Sequence, residues 1–535
     1  MKRGPSKRAG RQVSGRQDLL AFERGTIIKK WGNKIPVCVV FPNAYYTGMS
    51  NLAVHILYKT LNSYDDVVCE RCFLEEGSAY PDEGGECLSI ESGRPLSSFE
   101  LIFFTLSFEP DFINIPKILR LSSIETHAEK RDRGSPIIVA GGICVIANPE
   151  PIHSFIDVFL MGDVESTIPD IIERYRELRG EKRGDVVQGL SSFAWAHNPS
   201  DLRVSYGEDG TIASFAPEGL SVKVERYKGE ALGTSTIITE KTEFSNMFLI
   251  EGTRGCPSRC PFCLLGNSYR FTCDRVLPVK TDIKDIGIIG GGVSFHPHLT
   301  EIVAQLKRDG MRVHFPSLRL DEVPLSIIEL MKDEVKTLTF GIEAGTQKLR
   351  TLIGKPLTDR EILDKLAAIL EIKPFNLKLY FMVGLPGETR EDVEAIVELV
   401  KYMKHLMVRS GAKRGFVGSI TVHASPFVPK PATPFERSAM NDMPELKQKI
   451  GSLKRAFGKV DNTYFTHESV KYSFVQAVLA RGDRRLTDII FKLAEGESLT
   501  KVMNESAINL NFYALRDRDK KEILPWDFID RRLSR

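Results

Sequence analysis

Three cysteines, Cys256, Cys260 and Cys263, fall within eight positions at the spacing C-x3-C-x2-C. They follow an apolar run at 247–250 and two glycines, Gly252 and Gly255, so the sequence predicts a strand that ends in a thiol-bearing loop. Thiolates gathered so closely suit a soft metal, either zinc or an iron–sulfur centre. A tetrahedral zinc site wants a fourth ligand, normally from a second Cys or His pair. None follows at a fixed short spacing, and Cys273 stands alone. A [4Fe-4S] cluster held by three cysteines instead keeps one iron free to bind a substrate or cofactor. A zinc knuckle and three incidental thiols are the competing readings, and the strand-then-loop setting argues against both.

With an aromatic residue, Phe262, before the last cysteine, the motif resembles the signature of the radical S-adenosylmethionine (SAM) enzymes. The resemblance implies that the amino and carboxylate groups of SAM chelate the fourth iron. One electron from the reduced cluster then cleaves SAM to a 5′-deoxyadenosyl radical. It also implies a partial (β/α)6 barrel, and the periodicity agrees. Strand-like runs recur at 286–289, 312–315, 337–342, 378–383 and 416–422, with helical stretches between them. Functional groups of such barrels cluster at the carboxyl ends of the strands. Those ends carry Gly290, Gly291 and Gly292, then Ser317 and Arg319, then Glu343, then Gly384. By resemblance the glycine run occupies the place of the family's G-G-E, whose backbone meets the methionyl amino group, with Gly292 standing where the family has Glu. Glu343 resembles the polar residue that meets ribose or methionine, and the run 379–389 resembles the motif that lies along adenine. These residues, with Phe262, are the expected SAM contacts. The sequence names no catalytic residue.

The elements ahead of the cysteines must position them. Ile35–Phe41, Val67–Phe73, 101–106, 136–140 and 157–161 read as strands, and helical spacing fills 49–61, 113–121 and 168–178. That alternation predicts a doubly wound parallel sheet, with ligands at the carboxyl ends of its strands. The loops there hold Asn43, Tyr46, Gly48 and Ser50, then Ser107, then Gly141 and Gly142, then Gly162 and Glu165. The layout resembles the flavodoxin-type cobalamin-binding domain found ahead of many radical SAM barrels, which would make these residues cobalamin contacts. The D-x-H-x-x-G histidine that ligates cobalt is absent from 43–48. Either cobalamin binds without a protein histidine or the domain is a scaffold. Cys69 and Cys72 are an odd number of positions apart in a strand, so they point to opposite faces and read as buried thiols, as do Cys38 and Cys144. His55, on an amphipathic helix, reads as structural.

The expected architecture is therefore α/β. A basic tail at 1–24, expected to be disordered, precedes a cobalamin-binding-like domain at 25–180. A linker with a hairpin at 181–245, a radical SAM barrel at 246–435 and a mostly helical extension at 436–535 follow. Lys+Arg number 73 against Asp+Glu 70, so overall charge demands neither nucleic acid nor a membrane surface. No apolar run approaches the roughly 20 residues that span a bilayer. Nine cysteines are few for a disulfide framework in 535 residues, and a low-potential cluster needs a reducing compartment, so the expected location is cytoplasmic. The expected partner is a low-potential electron donor such as flavodoxin or ferredoxin.

From Phe41 onward the chain resembles uncharacterised radical SAM proteins with a cobalamin-binding-like N-terminal domain, which implies the cofactor chemistry and leaves the substrate open. The first function expected is radical SAM catalysis, with methyl transfer through cobalamin as its extension. The second is RNA modification, as in tRNA methylthiotransferases and elongator-type enzymes. It is supported by the run 384–389 and the basic segments at 447–459 and 481–485, and weakened by the missing extra cysteine triad. The third is a non-enzymatic iron–sulfur protein for electron transfer or cluster assembly.

Overall fold

The computed structural model describes residues 16–74, 86–229, 232–275, 279, 281–412 and 414–531. Five parallel strands form the first sheet: β1 (Ile35–Phe41), β2 (Val67–Phe73), β3 (Leu101–Thr105), β4 (Ile137–Gly141) and β5 (Val158–Leu160). Their order is β2-β1-β3-β4-β5, and β6 (Ala196–His197) adds antiparallel at the β5 edge. Every residue of β1, β2 and β3 is buried, because a parallel sheet covered on both faces needs continuous apolar strands. Alternation divides those side chains between two cores: Cys38, Val40 and Cys72 pack on one face, Val37, Val39 and Cys69 on the other. Cys69 and Cys72 are thus buried on opposite faces, as their spacing predicts.

The second body is built from β10 (Phe248–Glu251), β11 (Asp285–Ile289) and β12 (Arg312–His314), all parallel, after β7 (Arg203–Tyr206), β8 (Ile212–Ala216) and β9 (Val222–Lys223). A parallel bridge from Leu318 to Phe340 links it to β13 (Thr337–Glu343), which continues through β14 (Asn376–Val383) and β15 (Ile420–Pro426) to β16 (Thr463–His467). The result is an open parallel arc of seven strands with crossover helices outside. The helix Asp359–Ile372 starts where a helix should: Thr358 and Glu361 form a reciprocal capping box, and Ile362, Leu366, Ile369 and Leu370 form one buried stripe. On β14 the residues Leu377, Leu379, Phe381 and Val383 are buried under the helices, while Lys378, Tyr380 and Met382 face the concave side and are half-exposed.

The structure corrects several expectations. Part of the expected tail belongs to the fold: Arg16–Ala21 is helical, Leu19 is buried, and Glu23 pairs at 2.7 Å with Arg71, which also holds Glu91 at 2.7 Å, the side chains of these three being almost fully buried. The isolated apolar pair Leu19 and Leu20 gave too short a pattern to reveal this, and the rest of the expected tail lies outside the described residues. The span expected to be a linker contributes β6 to the first sheet and a helix, Arg183–Leu190, and the expected hairpin is present as β7 and β8. The last barrel strands also differ. The strand expected at 416–422 is β15, which starts after Gly418, whose missing side chain lets the Phe375 carbonyl approach, and runs on to Pro426. β16 lies inside the supposed helical extension. Its sequence T-Y-F-T-H is half-exposed on both faces and gives no apolar run to read. Finally, β17 (Ile529–Asp530) returns to pair with β9.

Candidate functional site

The cysteine loop leaves β10 at Gly252 and is pinned at both ends. Arg254 and Thr272 exchange backbone hydrogen bonds of 2.9 Å, and the Asn267 amide donates to the carbonyls of Cys260 (2.9 Å) and Cys263 (2.8 Å). Gly255, at φ +71°, turns the chain in the left-handed region, where a side chain would strike the Tyr269 and Arg270 carbonyls. Cys260 is buried, and Cys256 and Cys263 are partly exposed. Burial raises the pKa of Cys260, opposed by Lys355 and Arg319; burial likewise raises that of Cys263. The thiols are close enough to influence one another, but among the described residues no three His, Cys, Asp or Glu side chains converge on a metal position. A soft-metal cluster fits the donor set nonetheless. Three thiols share one fixed loop, two cations stand beside Cys260, and the Thr253 hydroxyl at the loop entrance is buried with no hydrogen-bond partner.

The glycine run after β11 lies directly against this loop. A Cβ on Gly290 would fall 2.4 Å from the Thr253 carbonyl, one on Gly291 2.1 Å from Leu265, and one on Gly292 2.8 Å from Phe271. The side chain lost at Gly292 is thus one that this packing has no room for. Arg319 reaches the loop from the neighbouring strand end, donating to Ser258 (2.9 Å) while held by Asp321, and its backbone N–H donates to Ser294 (2.9 Å). Ser317 is exposed. Glu343 ends β13 at φ +70°, a strained setting for a non-glycine residue, and pairs with Lys355 at 2.8 Å. Phe262 packs on the apolar cluster that includes Met382 and Phe427. Gly384 (φ +84°) donates its N–H to Glu388 at 2.7 Å, and Asn441 and Leu446 close over it.

At the first sheet the groups expected near a second cofactor divide in two. Around the β1–β3 switch point, the Asn43 amide donates to Asp111 (2.7 Å), Asn51 donates to Ser107 (2.9 Å), and Tyr46 is exposed. The Ser50 hydroxyl donates to the Tyr46 carbonyl at 2.7 Å, and Gly48 makes room for Phe73. On the other side, Gly142 and Gly162 are explained by the chain itself: the Leu106 and Glu225 carbonyls occupy the space a Cβ would need. At Gly141 a Cβ would make only ordinary contacts. Glu165 is engaged by Arg254 at 2.8 Å, which also holds Glu251 at 2.8 Å and Asp163 at 3.5 Å. Burial alone would lower the Arg254 pKa, yet Glu251 and Glu165 keep it above its ordinary value. Sequence reasoning missed Arg254 and Lys355, whose partners Glu165 and Glu343 lie 89 and 12 positions away, and Asn267, whose amide ties the thiol loop to itself. His55 is structural: buried, with Nε2 on the Met49 carbonyl at 3.0 Å and Nδ1 accepting from Thr236 at 3.3 Å.

Comparison with known proteins decides the family. A model described as "Radical SAM proteins, N-terminal" matches residues 53–199, and one described as "Radical SAM superfamily" matches 250–400, together more than half of the chain. The chain belongs to the radical SAM superfamily. It is an enzyme of that family, whose cofactors are a [4Fe-4S] cluster and SAM. Among similar proteins, an uncharacterised protein of Methanocaldococcus jannaschii is 28% identical, over 90% of this chain and 97% of that one. An uncharacterised methyltransferase of Pyrococcus horikoshii is 25% identical, over 55% of this chain and 64% of its own length. A tRNA-2-methylthio-N(6)-dimethylallyladenosine synthase of Buchnera aphidicola is 26% identical, over 44% and 56%. Among solved structures, the apo form of the cobalamin-dependent SAM radical enzyme OxsB aligns with a TM-score of 0.46 at 13% identity, covering 91% of this chain and 77% of that one. Among the described residues no helix is long and apolar enough to cross a membrane.

Proposed function

We propose that Cys256, Cys260 and Cys263 hold the [4Fe-4S] cluster and that SAM binds across the glycine run. The resulting radical would then modify a substrate on the concave face of the barrel. The observation that carries this reading is the close packing of Gly290, Gly291 and Gly292 on the one loop that bears three thiols. Bound and reduced, the cluster supplies the electron that cleaves SAM to methionine and a 5′-deoxyadenosyl radical. The residues supply the rest. Arg319 and Lys355 favour the thiolate form that Cys260 needs as a ligand. Asn267 fixes the two carbonyls between which the loop turns. Glu343, strained and held by Lys355, presents a carboxylate at the strand end beside Cys263, where a ribose or an amino group can meet it. A low-potential donor such as flavodoxin or ferredoxin is the partner this chemistry requires. The test is production of 5′-deoxyadenosine by the iron-loaded, reduced protein.

The finer reading is methyl transfer to the substrate. It is supported by the similarity to the Pyrococcus horikoshii methyltransferase and by the resemblance of the first sheet to a cobalamin-binding domain. The residues that suit such a ligand are Asn43, Asn51, Ser107 and Asp111, at the crevice between β1 and β3, and no histidine among the described residues is free there to ligate cobalt. Retention of hydroxocobalamin in equilibrium dialysis, and transfer of labelled methyl from SAM, test this reading. RNA modification is the second reading, favoured by the similarity to the Buchnera aphidicola synthase, and transfer of label into RNA would support it.

A further inference from the structure

The concave face of β14, β15 and β16 carries a group of side chains that the cofactor site does not use. Tyr380 and His423 stand opposite each other in the ladder, with ring centroids 5.4 Å apart at 72°. His423 Nδ1 lies 2.9 Å from the Thr466 hydroxyl, and its Nε2 lies 3.5 Å from Glu468. The Lys378 ammonium sits 5.1 Å from the Tyr380 ring centroid. All of them lie on the face turned away from the buried helices, where Leu377, Leu379, Val422 and Ala424 point the other way.

Lys378 differs from the two cations beside the thiol loop, Arg319 and Lys355. Arg319 holds Asp321 and Lys355 holds Glu343, but among the described residues Lys378 has no carboxylate partner. A half-buried ammonium that lies beside aromatic rings and has no carboxylate partner can take an anion from a ligand. Among its neighbours the Tyr380 hydroxyl can hydrogen-bond an oxyanion, while His423, engaged at both ring nitrogens by Thr466 and Glu468, holds the Tyr380 ring in place. An uncharged lipid-like substrate would leave the Lys378 ammonium without a partner.

We propose that Lys378, Tyr380 and His423 form a recognition site for an oxyanion, phosphate or carboxylate, on the substrate. The proposal rests on the reading of the barrel as the place where the radical meets its substrate. Lys378 binds the anion directly, the Tyr380 hydroxyl donates to it, and His423, buttressed by Thr466 and Glu468, positions the Tyr380 ring.

The probes are inorganic pyrophosphate and malonate, titrated by 31P and 13C NMR line broadening into the iron-loaded full chain. SAM is present at saturation and no reductant is added, so that the SAM carboxylate already fills its own site. The expected result is saturable binding of at least one probe, weakened tenfold or more in Lys378→Met, kept within about threefold in Lys378→Arg, and unchanged in Lys401→Met, whose lysine is exposed and paired with Glu398. Binding of pyrophosphate alone assigns a phosphate-bearing substrate, and binding of malonate alone a carboxylate-bearing one. No saturable binding of either, or binding that Lys378→Met leaves intact, overturns the proposal. Lys378→Met should keep the iron content and the substrate-free 5′-deoxyadenosine yield of the parent. Failure of the parent itself to form 5′-deoxyadenosine would sink the proposed function and leave the titration to be judged by itself.

Discussion

Glu165, at the exit of β5, accepts a hydrogen bond from Arg254, two positions ahead of Cys256, across 2.8 Å. The first sheet therefore grips the loop of the barrel that carries the thiols. Asp163 and Glu251 complete the grip, and all four side chains are largely buried. Replacing Arg254 by Met leaves three carboxylates without their cation and should destabilise the protein by about 3–5 kcal/mol. Glu165→Gln removes one charge of three and should cost about 1–2 kcal/mol. Urea unfolding of the two variants, with iron content measured in parallel, checks the order; equal effects would mean that the ion pairs do not act as one network.

Loss of any one cluster ligand should abolish iron binding. Cys256→Ala, Cys260→Ala and Cys263→Ala are each expected to lose the cluster absorbance after anaerobic reconstitution. Cys69→Ala and Cys72→Ala, buried in the two cores of the first sheet, should keep it while losing some stability. Iron at the parent level in Cys260→Ala would refute the ligand assignment.

That contrast between cysteines shows how much the sequence made legible. Cys69 and Cys72 were separable from the cluster thiols because a strand has a period of two, and the all-parallel layout followed from its apolar runs. The glycine run was legible by resemblance alone, and its reason, close packing on Thr253, Leu265 and Phe271, needed coordinates. Gly142 and Gly162 needed coordinates in the same way, since glycine signals a close approach and the Leu106 and Glu225 carbonyls are what approach there. Arg254, Lys355 and Glu23 act through partners 12 to 89 positions away, and no local pattern marks such pairs.

The Lys430 ammonium reaches Glu109 at 2.6 Å, with Gln476 donating to the same carboxylate at 3.0 Å, joining the segment after β15 to the loop after β3. Glu109 is buried, so Lys430→Met should cost about 3–5 kcal/mol by stranding a charge. The double variant Lys430→Met, Glu109→Gln should recover part of that loss. A double-mutant cycle with no coupling energy would show the contact to be incidental.

Acid should destabilise the protein through its buried imidazoles. Burial lowers the pKa values of His55 and His197 to about 4, below the ordinary 6.5. A depressed folded-state pKa means that the unfolded chain binds the proton first. The stability these groups contribute is full above about pH 6.5 and is lost as pH falls through 4. Two such groups give a slope of up to about 2.7 kcal/mol per pH unit between those limits. His55→Gln, which keeps a donor for the Met49 carbonyl, should remove roughly half of the slope that His55 and His197 together contribute in unfolding titrations. An unchanged slope would show that His55 is not neutral in the folded protein.

The most direct measurement is 5′-deoxyadenosine formed from SAM by the reduced, iron-loaded full chain without added substrate. The account predicts that product above background in the parent and in Cys69→Ala, and none in Cys260→Ala. Background product from a parent protein that carries four irons per chain would contradict it.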